Sequence, residues 1–477
     1  MSKLLLTFYG DDFTGSTDAL EQLTLAGIRT ALFIAPPTKK QLAHFKNLQA
    51  IGVAGIARSM TPEKMETELR PVLKKLKALD ARHVHYKVCS TFDSSPKIGS
   101  IGRVMEVAAK IFPAPFIPLL IAAPALGRYT IFGNHFARYG IGSDGEIHRL
   151  DRHPAISQHP ITPMLESDLR LHLAQQTKKK IALFDILKVA LPEKKSRAAF
   201  QKLLAEKPDV ILFDALDEEH LQRIGGLLEK FADGRRPLFS IGSSGIETAL
   251  ASFWGSAAAP AAVRRALASN FVRMDGFECS SGPRADGPTT RASSAAPGAG
   301  ALPNILIGSG SCSPVTGGQI AWVLKHGFAE VVLDANALAA KNSENEIQRA
   351  TEAATKFLKA GRSVIVHTTK SGSDKRIAAK LKNGPTEILG PALGQVLRGA
   401  LEQSRVRRLC IAGGDTSSFA ARALGIEALE MIAPLTPGAP LCRAFAPNSP
   451  ADKLEVVFKG GQVGAENYFE VVRRGKT

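Results

Sequence analysis

The sequence predicts an α/β protein of two domains, each built on a largely parallel sheet. Three observations carry the prediction. Short, near-continuous apolar segments alternate with longer amphipathic runs, the pattern of strands covered on both faces by crossover helices. A stretch rich in Gly, Pro, Ser and Ala at 273–303 interrupts the alternation, which then restarts. The length, 477 residues, exceeds what one hydrophobic core usually organises.

The first domain is expected over 1–272. Its strands are read at "LLLTFYG", "RTALFIA", "AIGVAG", "HVHYKVCS", "PLLIAAPAL", "KIALFD", "DVILFDAL" and "PLFSIG". Amphipathic runs such as "TPEKMETELRPVLKKLKALD" fall between most of them. The segment 273–303 has few large apolar residues and reads as a linker. The second domain, 304–477, repeats the pattern with strands "NILIG", "AEVVLDA", "SVIVHTT" and "RRLCIAGG". A hairpin-like tail, "LEVVFKGGQVG", closes it.

Composition narrows the function. Hydrophobic residues at 44% and charged residues at 22% are those of a soluble globular chain. The net charge of +17 makes a basic nucleic-acid-binding protein the alternative from another class. The charge is spread along helical segments, however, and no finger, RNP or basic-zipper pattern accompanies it, so no nucleic acid is expected. Five scattered cysteines without a CxxC pattern favour a reduced, cytoplasmic chain and no zinc site. The apolar start before Asp11 is too short for a signal peptide, and "FIPLLIAAPAL" carries two prolines, so no membrane association is expected.

Ligands of open parallel sheets bind beyond the carboxyl ends of the strands. In the second domain those positions are unusually rich in glycine and hydroxyls. "IGSGSCSPVT" supplies Ser309, Gly310 and Ser311. "IAGGDTSS" supplies Gly413, Gly414, Asp415 and Thr416, and "FKGGQVG" supplies Gly460 and Gly461. Such loops let backbone N–H groups approach phosphate oxygens at helix N-termini. Neither the Walker pattern nor the full GxGxxG occurs in this second domain, which argues against a P-loop and against a sugar-acid dehydrogenase.

The corresponding positions of the first domain mix cations, hydroxyls and carboxylates. They give Asp11, Asp12 and Thr14, then Lys87, Ser90, Thr91 and Asp93, then Arg128, His135 and Arg152. Cations suit a carboxylate, hydroxyls a polyol, and carboxylates proton transfer, so a small hydroxy acid is the natural guest. Bland readings stand beside this one: Asp11 could cap the following helix, and His83 and His85 alternate along a strand as structural histidines would. The later histidines, including His148, His153 and His159, lack metal-ligand spacing, and no metal site is read from them.

The motifs "GDDFTGSTD", "YKVCSTFDSS" with "GSIG", "HPITPMLESDL", "IGSSGIE", "GSGSCSPVT" and "AGGDTSS" occur in this order across nearly the whole chain. Together they resemble the four-carbon acid sugar kinases. The resemblance implies a sugar-binding N-terminal domain, a nucleotide-binding C-terminal domain and a site between them. It implies Mg²⁺-assisted transfer of phosphate from ATP to the terminal hydroxyl of a C4–C5 sugar acid. Asp12 would then be the base, Asp11 or Asp93 would help to bind the polyol, and Arg128, Lys87 or Arg152 would hold the carboxylate. The glycine-rich loops would take the ATP phosphates, with Asp415 near the Mg²⁺. "KVCSTFDS" and "HPITPM" resemble the branch that phosphorylates 3-oxo acids, 3-oxo-tetronate or 3-oxo-isoapionate, more than the threonate and erythronate branches, which remain the alternative. The long "ARYGIGSDGEIHRLDRHPAISQHP" segment tilts the reading to the branched acid. Asp415 stands where the family often has Glu, and 273–303 is a candidate hinge. The chain would act alone or as a homodimer.

Overall fold

The computed structural model describes residues 4–140, 145–159, 161–232, 236–256, 303–339, 343–369 and 385–475. The expected linker therefore lies almost wholly outside the described residues. In the first half the strands are β1 (Leu6–Gly10), β2 (Thr30–Phe33), β3 (Ala50–Ala54), β4 (His83–Lys87), β5 (Ile117–Leu120), β6 (Arg128–Ile131), β7 (Asn134–Arg138), β8 (Ile147–Arg149), β9 (Ile181–Phe184), β10 (Val210–Phe213) and β11 (Leu238–Gly242). In the second they are β12 (Ile305–Ser309), β13 (Ala329–Val332), β14 (Val364–His367), β15 (Arg408–Ala412), β16 (Ala428–Thr436), β17 (Ala439–Phe445) and β18 (Glu455–Lys459).

The central strands are buried on both faces because both faces are covered. Every residue of β1, β3, β4 and β11 is buried. The covering helices obey the 3.6-residue period: the Pro62–Lys77 helix buries Met65, Leu69, Leu73 and Leu76, and Thr61 caps it by accepting from the Lys64 N–H. The first-half order is β2-β3-β1-β4-β11-β5-β10-β9, all parallel. In the second half β13-β14-β12-β15-β18 are parallel.

Two hairpins depart from the sequence reading. The strands β6, β7 and β8 form a separate antiparallel sheet in that order. Its first turn is Phe132–Gly133, both at positive φ as a primed two-residue turn requires. A bulky phenylalanine there hides the usual Asn-Gly signal. The second hairpin is β16–β17, turning at Pro437–Gly438. Its strands contain Pro434 and Pro440, residues that argue against a strand when read in sequence. The tail expected to be hairpin-like is instead the single strand β18, followed by a loop at Gly460–Gly461.

The β16–β17 hairpin joins the halves. Ala428 and Leu429 of β16 pair antiparallel with Phe33 and Leu32 of β2, producing one 15-stranded sheet where two were expected. The junction is reinforced by side chains. Arg422 donates to the Ile34 and Ala54 carbonyls, and Ser418 donates to the Gly55 carbonyl. The Phe13 and Phe458 rings lie 4.4 Å apart, so the helix following β1 packs directly on β18.

Candidate active site

β1 and β4 are paired so that Gly10 lies opposite Lys87, which sets their exits side by side. The chain leaves β1 through two aspartates. Asp11 donates its N–H to the Lys87 carbonyl. It is Asp12, not Asp11, that caps the Phe13–Leu25 helix: its Oδ1 accepts from the Gly15 N–H at 2.8 Å and its Oδ2 from the Thr14 hydroxyl at 2.8 Å. A side-chain carbon on Gly15 would stand 2.5 Å from Asp12 Oδ1, so glycine is required for this close turn. Arg58, at the exit of β3, places Nη1 3.2 Å from Asp12 Oδ2 and 3.6 Å from Asp93 Oδ2.

The two neighbouring carboxyls are driven in opposite directions. Burial and the Asp12 charge push Asp11 up to about 8, and its Oδ1 has no hydrogen-bond partner. Burial would raise Asp12 as well, but Arg58, Lys87 and the bonds from Thr14 and Gly15 outweigh it and hold Asp12 below the usual carboxylate range. At neutral pH Asp12 is an anion and Asp11 largely a protonated donor. Such divergence in a pair of carboxyls marks a division of labour in proton transfer.

Around this pair the structure gathers most, though not all, of the expected first-domain residues. Lys87 is buried with Nζ 3.3 Å from Asp18. Thr91 donates to Asp93 at 2.9 Å. Arg128 is buried; its Nη1 donates to the carbonyls of Leu126, Gly127 and Arg138, while its Nε has no partner. His135 has both ring nitrogens engaged, Nδ1 with the Thr130 hydroxyl and Nε2 with the Ser90 carbonyl. Burial lowers its pKa to about 4, so it is a neutral prop for the Ser90 backbone. Arg152 is not brought into the cluster: its side chain is 76% exposed and faces Asp151. His83 and His85 are structural, bonded to the buried carboxylates Glu229 and Glu247. No cluster of three potential metal ligands occurs among the described residues.

The second half contributes three loops that meet one another. A side-chain carbon on Gly310 would lie 2.3 Å from Thr416 Oγ1, and one on Gly461 would lie 3.0 Å from Ser311 Oγ. Gly413 adopts φ +121, closed to other residues, beside the Ser311 N–H. Ser309 is the buried last residue of β12. The side chain of Asp415 lies outside the described residues. Two helices begin in these loops, Pro314–Lys325 and Gly414–Ala423, and the buried hydroxyls of Ser313 and Ser417 have no partner. Glycine surfaces that a Cβ would fill, helix N-termini and unspent hydroxyls fit a polyphosphate.

The two halves of the site touch. A carbon added to Gly414 would stand 3.0 Å from Asp12 Oδ2, 3.1 Å from Arg58 Nη2 and 3.6 Å from Thr14 Oγ1; one added to Gly460 would stand 3.8 Å from Thr14 Oγ1. The polyphosphate-type loops thus abut the carboxylate pair. Sequence reasoning passed over Arg58 and Asp18, although Arg58 follows the β3 exit in "AGIAR" and Asp18 lies one helical turn beyond Thr14.

Comparison with known proteins identifies relatives of both halves. A family model described as a sugar-binding N-terminal domain matches residues 6–250, and one described as a nucleotide-binding C-terminal domain matches 306–469. The chain is 41% identical to a 3-oxo-isoapionate kinase of Paraburkholderia graminis, over 99% of this chain and 95% of the relative. It is 27% identical to a 3-oxo-tetronate kinase of Pseudomonas savastanoi pv. phaseolicola, over 98% and 96%. Among solved structures it is similar to a Salmonella typhimurium protein described as a putative tRNA synthase, with TM-score 0.70 and 23% identity over the full length of both chains. A Haemophilus influenzae protein follows, with TM-score 0.63 and 22% identity over 98% and 99%. The chain belongs to the four-carbon acid sugar kinase family.

Proposed function

We propose that this protein transfers the γ-phosphoryl group of ATP to the terminal hydroxyl of a short 3-oxo sugar acid, with 3-oxo-isoapionate the preferred acceptor. One observation carries the reading: the glycine loops of the second half stand against Asp12, Thr14 and Arg58 of the first. Phosphoryl transfer depends on positioning and charge neutralisation, and this contact brings donor and acceptor surfaces together. The choice of acid is supported by the 41% identical relative's name.

In this reading Asp12, ionised and fixed by Thr14, Gly15 and Arg58, orients the acceptor hydroxyl and takes its proton as the oxygen bonds to phosphorus and ADP departs. Asp11, protonated, donates to a substrate oxygen. Arg128, through its unpartnered Nε–H, and Lys87 hold the substrate carboxylate; the exposed position of Arg152 gives it no such support. Ser309, Gly310 and Ser311, Gly413 to Thr416, and Gly460 and Gly461 hold the phosphates. Mg²⁺, when bound, would neutralise phosphate charge. A cytoplasmic location belongs to this reading, since ATP is the donor and the buried Cys410 and Cys442 form no disulfide.

The test is ADP release by the purified protein with Mg-ATP and a panel of threonate, erythronate, 3-oxo-tetronate and 3-oxo-isoapionate. Turnover of 3-oxo-isoapionate well above the rest is expected. Preference for threonate or erythronate would overturn the branch, and no turnover with any acid would overturn the reading.

A further inference from the structure

Lys459, the last residue of β18, is fully buried, and its surroundings are unusual for an amine. No described carboxylate pairs with it. Its Nζ donates to Thr316 Oγ1 at 2.9 Å, and Thr316 Oγ1 donates in turn to the Gly461 carbonyl at 3.1 Å. The Lys459 carbonyl accepts from the Gly413 N–H at 2.9 Å. One residue therefore ties together the exits of β15 and β18 and the first turn of the Pro314–Lys325 helix. The other groups facing the amine are Cys410 on β15 and the rings of Tyr468 and Phe469 in the Tyr468–Arg474 helix, with ring centroids 5.5 and 5.9 Å away. A buried ammonium without a counter-anion is costly unless a ligand supplies the anion.

We infer that Lys459 is a positioning residue for the nucleotide: through Thr316 it fixes the Gly460–Gly461 exit against the phosphates, and its amine takes up a proton from solvent when a polyphosphate fills the cradle. Burial lowers the amine to about 7 in the ligand-free protein, with Cys410 opposing, so the empty site holds it largely neutral above that pH. Phosphate charge nearby restores the ordinary preference of lysine for its charged form. The inference rests on the kinase reading.

The experiment is calorimetric titration with Mg-ATP, without acceptor, at pH 8 in two buffers of different ionisation enthalpy. The wild type is expected to take up most of one proton per nucleotide bound. Lys459→Met is expected to lose that uptake and to bind about tenfold more weakly, the cost of one broken buried bond. Thr316→Val is expected to bind more weakly yet keep the uptake, and the double variant to bind no more weakly than Lys459→Met. In turnover assays KM for ATP should rise with kcat nearly unchanged, a split that loss of stability alone would not give. Unchanged affinity or unchanged proton uptake in Lys459→Met overturns the inference. Should that variant not fold, unchanged affinity in Thr316→Val does so. A wild type that binds no Mg-ATP overturns the kinase reading instead.

Discussion

Asp11 and Asp12 share a peptide bond and little else. Asp12 is capped into a helix start and clamped by Arg58, whereas Asp11 is buried with an oxygen left over. Asp12→Asn keeps an N-cap but removes the anion paired with Arg58, so some stability is lost and kcat of the folded protein is expected to fall by roughly 10²; near-normal turnover in steady-state assays would remove Asp12 from the role of base. For Asp11 the pH dependence has a definite sign. Its folded value, about 8, lies above the unfolded 3.8, so the folded state keeps a proton that the unfolded chain has released. Its ionisation therefore costs stability increasingly between those values, and fully above pH 8. Asp11→Asn should stabilise the protein more at pH 9 than at pH 6, as read from urea midpoints, and a constant difference would contradict the assignment. The sequence displayed both carboxyls but not their roles, because protonation is set by burial and by Arg58 and Lys87, which reach them from the exits of β3 and β4. The same holds for His135, whose polar appearance pointed to substrate and whose ring is wholly taken up by Thr130 and Ser90.

At the scale of the element, Gly414 sets the closest approach between the halves. Its Cβ position is filled by Asp12 and Arg58, and it begins a helix with an ordinary backbone. Gly414→Ala is expected to leave the melting temperature unchanged or slightly raised, since alanine costs less entropy in a helix. Turnover should drop by roughly 10² as phosphate loop and carboxylates are forced apart. Equal activity in the two proteins would show that this contact is not the working geometry. Alternating apolar segments made the parallel strands easy to place, because strands buried on both faces leave little choice of residue. β6–β7 and β16–β17 were hidden by Phe132 in a primed turn and by prolines within strands. The glycine loops were legible one by one, but their convergence depends on strand order, which no local pattern encodes.

For the whole molecule the β2–β16 pairing makes the halves parts of one sheet. Thermal unfolding followed by calorimetry is expected to show one transition, and saturating Mg-ATP at 100 times Kd should stabilise it by about 2.7 kcal/mol. Two separated transitions, only one of them moved by nucleotide, would mean that the junction does not couple them. The α/β class was legible in the alternating segments, yet the sequence held no sign that Leu32 would pair with Leu429.

That pairing also matters while the chain is being made. β2 is an apolar strand whose outer edge is covered only by residues synthesised roughly 400 positions later, a delay of about 20–80 s at ordinary ribosomal rates. Throughout that interval the nascent first half carries an open backbone edge, a template for pairing with the wrong neighbour. The rate of translation through the second half, and the availability of a chaperone to shield Thr30–Phe33, should govern the yield of soluble protein.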